Sequence, residues 1–148
     1  MKPVFILNGP NLNMLGSREQ AVYGSETLAD LETRCVARAK ALGLSTEFRQ
    51  SNVEGELVGW IQAARTEACG IVLNAAAYTH TSIALHDALK AADVPVIEVH
   101  LSNIYRREPF RQVNYLADIA LESIVGQGAR GYHLALESIA RRYGGARG

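Results

Sequence analysis

Pro3-Val4-Phe5-Ile6-Leu7-Asn8-Gly9-Pro10-Asn11-Leu12-Asn13 opens the chain as a short strand that breaks abruptly into polar residues at Asn8. The elements downstream decide what kind of sheet this strand joins. Thr27–Leu42 carries apolar residues at Leu28, Leu31, Cys35, Ala39 and Leu42, a helical spacing, and Gly43 is a good stop. Ser45–Gln50 reads as a second strand. Ser51-Asn52-Val53-Glu54 has the form of a capping box, in which a serine and a glutamate satisfy the free amides of a helix start. Leu57, Trp60, Ile61 and Ala64 then line one helical face. Gly70–Leu73 is a third strand ending at Asn74, and Ser82–Ala92 a helix. Pro95–Val99 is a fourth strand ending at His100, and Ser123–Val125 a short fifth. Ala129–Tyr143 closes the series as a helix with Tyr132, Leu136, Ile139, Ala140 and Tyr143 on its face.

Strands that alternate with helices predict an α/β domain, a parallel sheet with helices on both faces. The third and fourth strands are continuous apolar runs, as expected of strands covered on both sides. The expected architecture is a three-layer, flavodoxin-like fold with a five-stranded sheet of order 2-1-3-4-5. A single catalytic domain is expected over 1–143, with 144–148 as a flexible tail. Ligands of such sheets sit at the carboxyl ends of the strands, near the switch point between strands 1 and 3.

Composition narrows the function classes. The 148 residues suit one domain. The 15 basic and 15 acidic residues cancel, whereas a nucleic-acid binder would show a basic surplus. Any anion binding must therefore be local. Cys35 and Cys69 sit in apolar stretches with neither metal-type spacing nor a disulfide framework, and read as reduced core residues of a cytosolic protein. No apolar run approaches the roughly 20 residues of a membrane helix. The apolar run at the N-terminus is too short for a signal peptide and lacks a cleavage site. A cytoplasmic protein with no membrane or nucleic-acid partner is expected.

The topology brings Asn8-Gly9-Pro10-Asn11, Asn74, and Glu98 with His100-Leu101-Ser102-Asn103 to one edge, a site for a small polar ligand. Several chemistries fail there. The turn after strand 1 fits neither GxGxxG nor GxxxxGK[ST]. A phospho-acceptor of this topology would need an aspartate where Asn74 stands. His80, His86, His100 and His133 form no recognised metal-ligand pair, so no metal is expected. Imine chemistry needs a lysine, and Lys2, Lys40 and Lys90 fall at the start of strand 1 or inside helices. The site's positive charge is arginine, suited to binding anions and transition states.

Arg18 and Tyr23 lie on the long loop after strand 1, and loops of that length are usually functional or disordered. A phenol titrates near pH 10, so a tyrosine base at neutral pH needs roughly 4 kcal/mol of preference for its anion. One exposed arginine supplies typically under about 1 kcal/mol. A water-poor closed loop, or a second arginine such as Arg107, is therefore required. The alternative is that Tyr23 only packs the loop and Arg18 is solvated. Glu98 and His100 are two apart on a strand and point to one face. A carboxylate there would orient the ring and favour its charged form, suiting His100 to general acid work. The alternative is a satisfied histidine at a strand end. The amides of Leu101 and Ser102 enter a turn where free N–H groups can hold a carboxylate. His80 binds a hydroxyl or caps the next helix, and His86 and Asp87 have a solvated helix face as their ordinary explanation.

The run Asn8-Gly9-Pro10-Asn11-Leu12-Asn13, with Leu15-Gly16, Arg18-Glu19 and Tyr23-Gly24, resembles the signature of type II 3-dehydroquinate dehydratases. Asn74-Ala75-Ala76-Ala77-Tyr78-Thr79-His80-Thr81-Ser82 resembles the family's second motif. Glu98-Val99-His100-Leu101-Ser102-Asn103 resembles its third, and Arg107-Glu108 with Phe110-Arg111 comes next in order. The likeness spans essentially the whole chain. It implies loss of water from 3-dehydroquinate to give 3-dehydroshikimate by anti elimination through an enolate. By the same likeness, Tyr23, activated by Arg18, takes the proton beside the ketone. Asn11 helps hold a water that stabilises the enolate, and His100, oriented by Glu98, protonates the departing hydroxyl. Asn74 and the amides of Leu101 and Ser102 bind the substrate carboxylate, His80 and Arg111 bind ring hydroxyls, and Arg107 belongs to the charged surround. Asp87 reaches the site of a neighbouring subunit within a dodecamer built from trimers, and no cofactor is used. A protein that only bound polyhydroxy carboxylates could dispense with Tyr23 and His100; both are present.

Two positions depart from the family pattern. Gln20 stands where proline is usual, which would leave the loop less stiff when empty. His86 stands where arginine is common, which would deprive Asp87 of a constant cationic partner.

Overall fold

The computed structural model describes residues 1–17 and 25–147, with 144–147 by backbone alone. Strands β1 (Val4–Asn8), β2 (Thr46–Gln50), β3 (Gly70–Asn74), β4 (Val96–His100) and β5 (Glu122–Val125) form one sheet of order β2-β1-β3-β4-β5. Every neighbouring pair is parallel. Helices α1 (Leu28–Ala41), α2 (Glu54–Glu67), α3 (Ile83–Ala92) and α4 (Arg130–Arg147) cover the sheet. The expected order and both helical layers are present.

Alternation along β1 explains the layering, because successive strand side chains point to opposite faces. Val4 and Ile6 pack with Leu31, Cys35 and Ala39 of α1 and with Tyr132, Leu136 and Ile139 of α4. Phe5 and Leu7 pack on the other side with Leu57 and Ile61 of α2 and with Leu85 and Leu89 of α3. All five residues of β1, β3 and β4 are buried. Both cysteines are free and buried, and burial pushes the Cys35 thiol up to about 12.

One local expectation is corrected. The Ser51–Glu54 capping box does not form. α2 begins at Glu54, and its N-cap Val53 has no side-chain cap. The Ser51 hydroxyl instead accepts from the Val53 amide at 2.9 Å, ahead of the helix. A capping box forms at α1, where Thr27 accepts from Asp30 N and Asp30 Oδ2 accepts from Thr27 N. At the other end of the chain, α4 runs through the segment expected as a tail as far as Arg147. Glycine costs a helix about 1 kcal/mol without ending it, and the Tyr143 hydroxyl anchors the preceding turn by donating to the Cys69 carbonyl.

Candidate active site

The carboxyl ends of β1, β3 and β4 open into a solvent-facing cleft. Of the residues singled out from sequence, Asn11, Asn74, His80 and His100 line it. So do Leu101, Ser102, Arg107 and Arg111. Glu98 stands behind His100. Asp87 does not reach this cleft; its side chain is 72% exposed on α3. Arg18 and Tyr23, with Gln20, lie outside the described residues.

Asn11 sits in the left-handed region, φ 68°, and caps the turn Leu12–Met14. Its backbone amide donates to Asn52 Oδ1 at 2.9 Å, which also accepts from Gln50 Nε2 at 3.1 Å. Gly9 lets β1 turn against β3: a Cβ there would stand 2.4 Å from the Ala75 carbonyl oxygen. The Gly9 amide donates to Asn74 O at 2.8 Å.

Asn74 is held from behind. The fully buried Tyr132 hydroxyl donates to Asn8 Oδ1 at 2.7 Å, so it must accept from Asn74 Nδ2 at 2.9 Å. Asn74 Oδ1 accepts from the Ala76 amide at 3.2 Å. The amide orientation is thereby fixed, with the second Nδ2 hydrogen left for the cleft. Burial of Tyr132 pushes its phenol well above the ordinary tyrosine value, so it serves only as a neutral relay of hydrogen bonds.

Hydrogen-bond partners set the tautomers of the two histidines. His80 Nδ1 donates to the Val113 carbonyl at 2.7 Å, leaving Nε2 as an acceptor in the neutral ring. Burial, with the positive fields of His100 and Arg111, holds His80 below the ordinary histidine range despite that carbonyl. His100 Nε2 donates to Glu98 Oε2 at 2.5 Å. Its remaining ring nitrogen, Nδ1, is the one that can exchange a proton with a ligand. Glu98 is fully buried and collects two further donors, Asn114 Nδ2 at 2.8 Å and Ser123 Oγ at 2.6 Å. Burial alone would push Glu98 up; the bonds from His100, Ser123 and Asn114 outweigh it and hold the carboxyl below its ordinary value.

Glu108 orders the arginines. Its Oε2 accepts from Arg111 Nε at 2.9 Å and its Oε1 from Arg107 Nε at 3.3 Å. Arg107 also reaches Ser102 Oγ at 3.4 Å. On α3, His86 bridges Asp87 at 3.1 Å and Asp118 at 3.2 Å, and these bonds raise its pKa. Asp87 thus has a cationic neighbour only while His86 is protonated, not the constant one that an arginine would supply.

Tyr132, Asn114 and Ser123 support the site without having been singled out for it from sequence, and Asn8 and Glu108 were named there only within their motifs, with no supporting role. Tyr132 read as one more apolar residue of a helix face, although a buried phenol needs a partner for its hydroxyl. Asn114 lies on an irregular segment where no periodicity speaks.

A doubly wound parallel sheet whose carboxyl edge joins a buried histidine–carboxylate pair to two arginines defines a flavodoxin-like α/β protein. Residues 2–140 match the model of a family described as dehydroquinase class II. The chain is 57% identical over 141 residues to 3-dehydroquinate dehydratase 2 of Pseudomonas putida, covering 95% of each. It is likewise 57% identical over 142 residues to 3-dehydroquinate dehydratase of Chelativorans sp., covering 95% of this chain and 98% of the relative. The crystal structure of type II dehydroquinase from Propionibacterium acnes superposes with a TM-score of 0.92 at 42% identity, covering 95% of this chain and 97% of that one. The chain belongs to the class II dehydroquinase family.

Proposed function

We propose that this chain is a hydro-lyase that converts 3-dehydroquinate to 3-dehydroshikimate and water. The observation that carries the reading is the buried Glu98–His100 pair opening on a cleft that also holds Asn74, His80, Arg107 and Arg111. The names of the relatives agree with it.

Substrate enters with its carboxylate on Asn74 Nδ2 and the amides of Leu101 and Ser102. The neutral His80 Nε2 accepts from a ring hydroxyl, and Arg111 binds beside it. Tyr23, held as its anion by Arg18 and by the field of Arg107, removes the proton next to the ketone. Asn11 places a water on the resulting enolate oxygen. His100 Nδ1 then gives its proton to the hydroxyl on the opposite face, the carbon–oxygen bond breaks, and water leaves by anti elimination. The tyrosine has gained one proton and the histidine has lost one; exchange through solvent restores both, so the reaction consumes none. The scheme calls on no metal or organic cofactor. Asp87 completes the site of a neighbouring subunit in a dodecamer of trimers, and the enzyme works in the cytoplasm.

Ultraviolet absorbance tests the activity, because the product is a conjugated enone. Absorbance should rise when purified protein meets 3-dehydroquinate, and Tyr23→Phe should abolish the rise while calorimetry still detects substrate binding. A wild-type protein that leaves the absorbance flat refutes the activity; an active Tyr23→Phe places the base elsewhere.

A further inference from the structure

A buried glutamate–histidine pair has two arrangements of its proton, carboxylate with imidazolium or neutral acid with neutral imidazole. Both leave His100 a proton on Nδ1, but only the imidazolium of the first is acidic enough to give it to a departing hydroxyl; the N–H of a neutral imidazole is a far weaker acid. Burial favours the neutral arrangement, because it penalises charge. Donors aimed at Glu98 favour the first, because they stabilise the carboxylate and not the acid.

Two such donors stand outside the acid–base pair. Asn114 Nδ2 lies 2.8 Å from Glu98 Oε2. Its orientation is locked, since its Oδ1 accepts from Leu116 N at 2.8 Å and Ala117 N at 3.1 Å. Only the amino side can face Glu98. Ser123 lies directly opposite Glu98 in the β4–β5 register and donates to Oε1 at 2.6 Å. The residue before Asn114 supplies the carbonyl that sets the His80 tautomer, so Val113 and Asn114 together orient both histidines.

We propose that Asn114, assisted by Ser123, is a positioning residue that keeps Glu98 a carboxylate and so keeps His100 armed as the proton donor. The inference rests on His100 being the general acid of the proposed dehydration.

Asn114→Asp separates this role from a structural one. The Oδ1 acceptor for Leu116 and Ala117 is retained, but the donor to Glu98 becomes a second carboxylate. The variant should melt near the wild-type temperature and lose about tenfold or more in kcat near neutral pH, the equivalent of one charge-assisted hydrogen bond. KM should stay within about twofold, because the interaction acts on the transition state. Activity should recover as pH falls, when the new carboxyl takes a proton and can donate to Glu98. An unchanged kcat, or an equal loss at every pH, overturns the proposal. If circular dichroism finds the variant unfolded, Ser123→Ala carries the test. Its site is exposed enough for water to substitute, so kcat should fall only about threefold at constant KM; wild-type kcat there overturns the proposal. Wild-type protein without turnover refutes the proposed function and this inference together, whereas wild-type turnover with unaffected variants refutes this inference alone.

Discussion

Tyr132 reaches the site from the far side of the sheet. Its hydroxyl donates to Asn8 and accepts from Asn74, and so turns a core residue of α4 into the support of the proposed carboxylate site. Tyr132→Phe keeps the ring's packing but leaves two buried amide groups short of a partner. Each such unmade bond costs about 1–3 kcal/mol. The variant should melt several degrees lower and raise KM more than it lowers kcat, because Asn74 would keep only the Ala76 amide to fix its orientation. A melting curve and KM both equal to wild type would show that the relay does no such orienting.

Between strands, the cleft exists because β1 and β3 come within backbone contact at Gly9 and Ala75. Gly9→Ala should destabilise the fold by about 3 kcal/mol or more, since the atom it meets is backbone and cannot swing aside. Chemical denaturation measures this, and a midpoint within error of wild type would contradict the packing. Asn11 at φ 68° and Ala76 at φ 52° flank the same contact, both in the left-handed region. Strained residues of this kind gather at ligand sites.

The strands, their order and the edge where polar residues converge were legible in the sequence because apolar period and topology rules set them. Glu98 and His100 were legible because alternation along a strand is strict. The supports were not. Asn114 and Glu108 act from irregular segments, and Tyr132 acts across 58 positions of chain from Asn74. Only folding brings those partners together. Ser51 and Glu54 matched a local pattern, yet the cap of the helix falls at Val53, beyond the serine that the pattern needs there.

Taken over its full length the chain carries no net charge, with 15 basic and 15 acidic residues. Its arginines at the cleft therefore act locally. No helix among the described residues is long and apolar enough to cross a membrane. Asp87 stands apart from its own cleft, and under the proposed assembly it serves another. Sedimentation velocity of the purified protein should then give one species near the dodecamer mass, and a sample that stays monomeric at micromolar concentration would remove Asp87 from the mechanism.

In the proposed dehydration Tyr23 and His100 work on opposite faces of one substrate to remove water. 3-Dehydroquinate carrying deuterium beside its ketone, on the face opposite the departing hydroxyl, reads this in a single product mass. Anti elimination by these two residues should yield an enone that has lost the deuterium. A product that retains it, or no product at all, would rule that chemistry out.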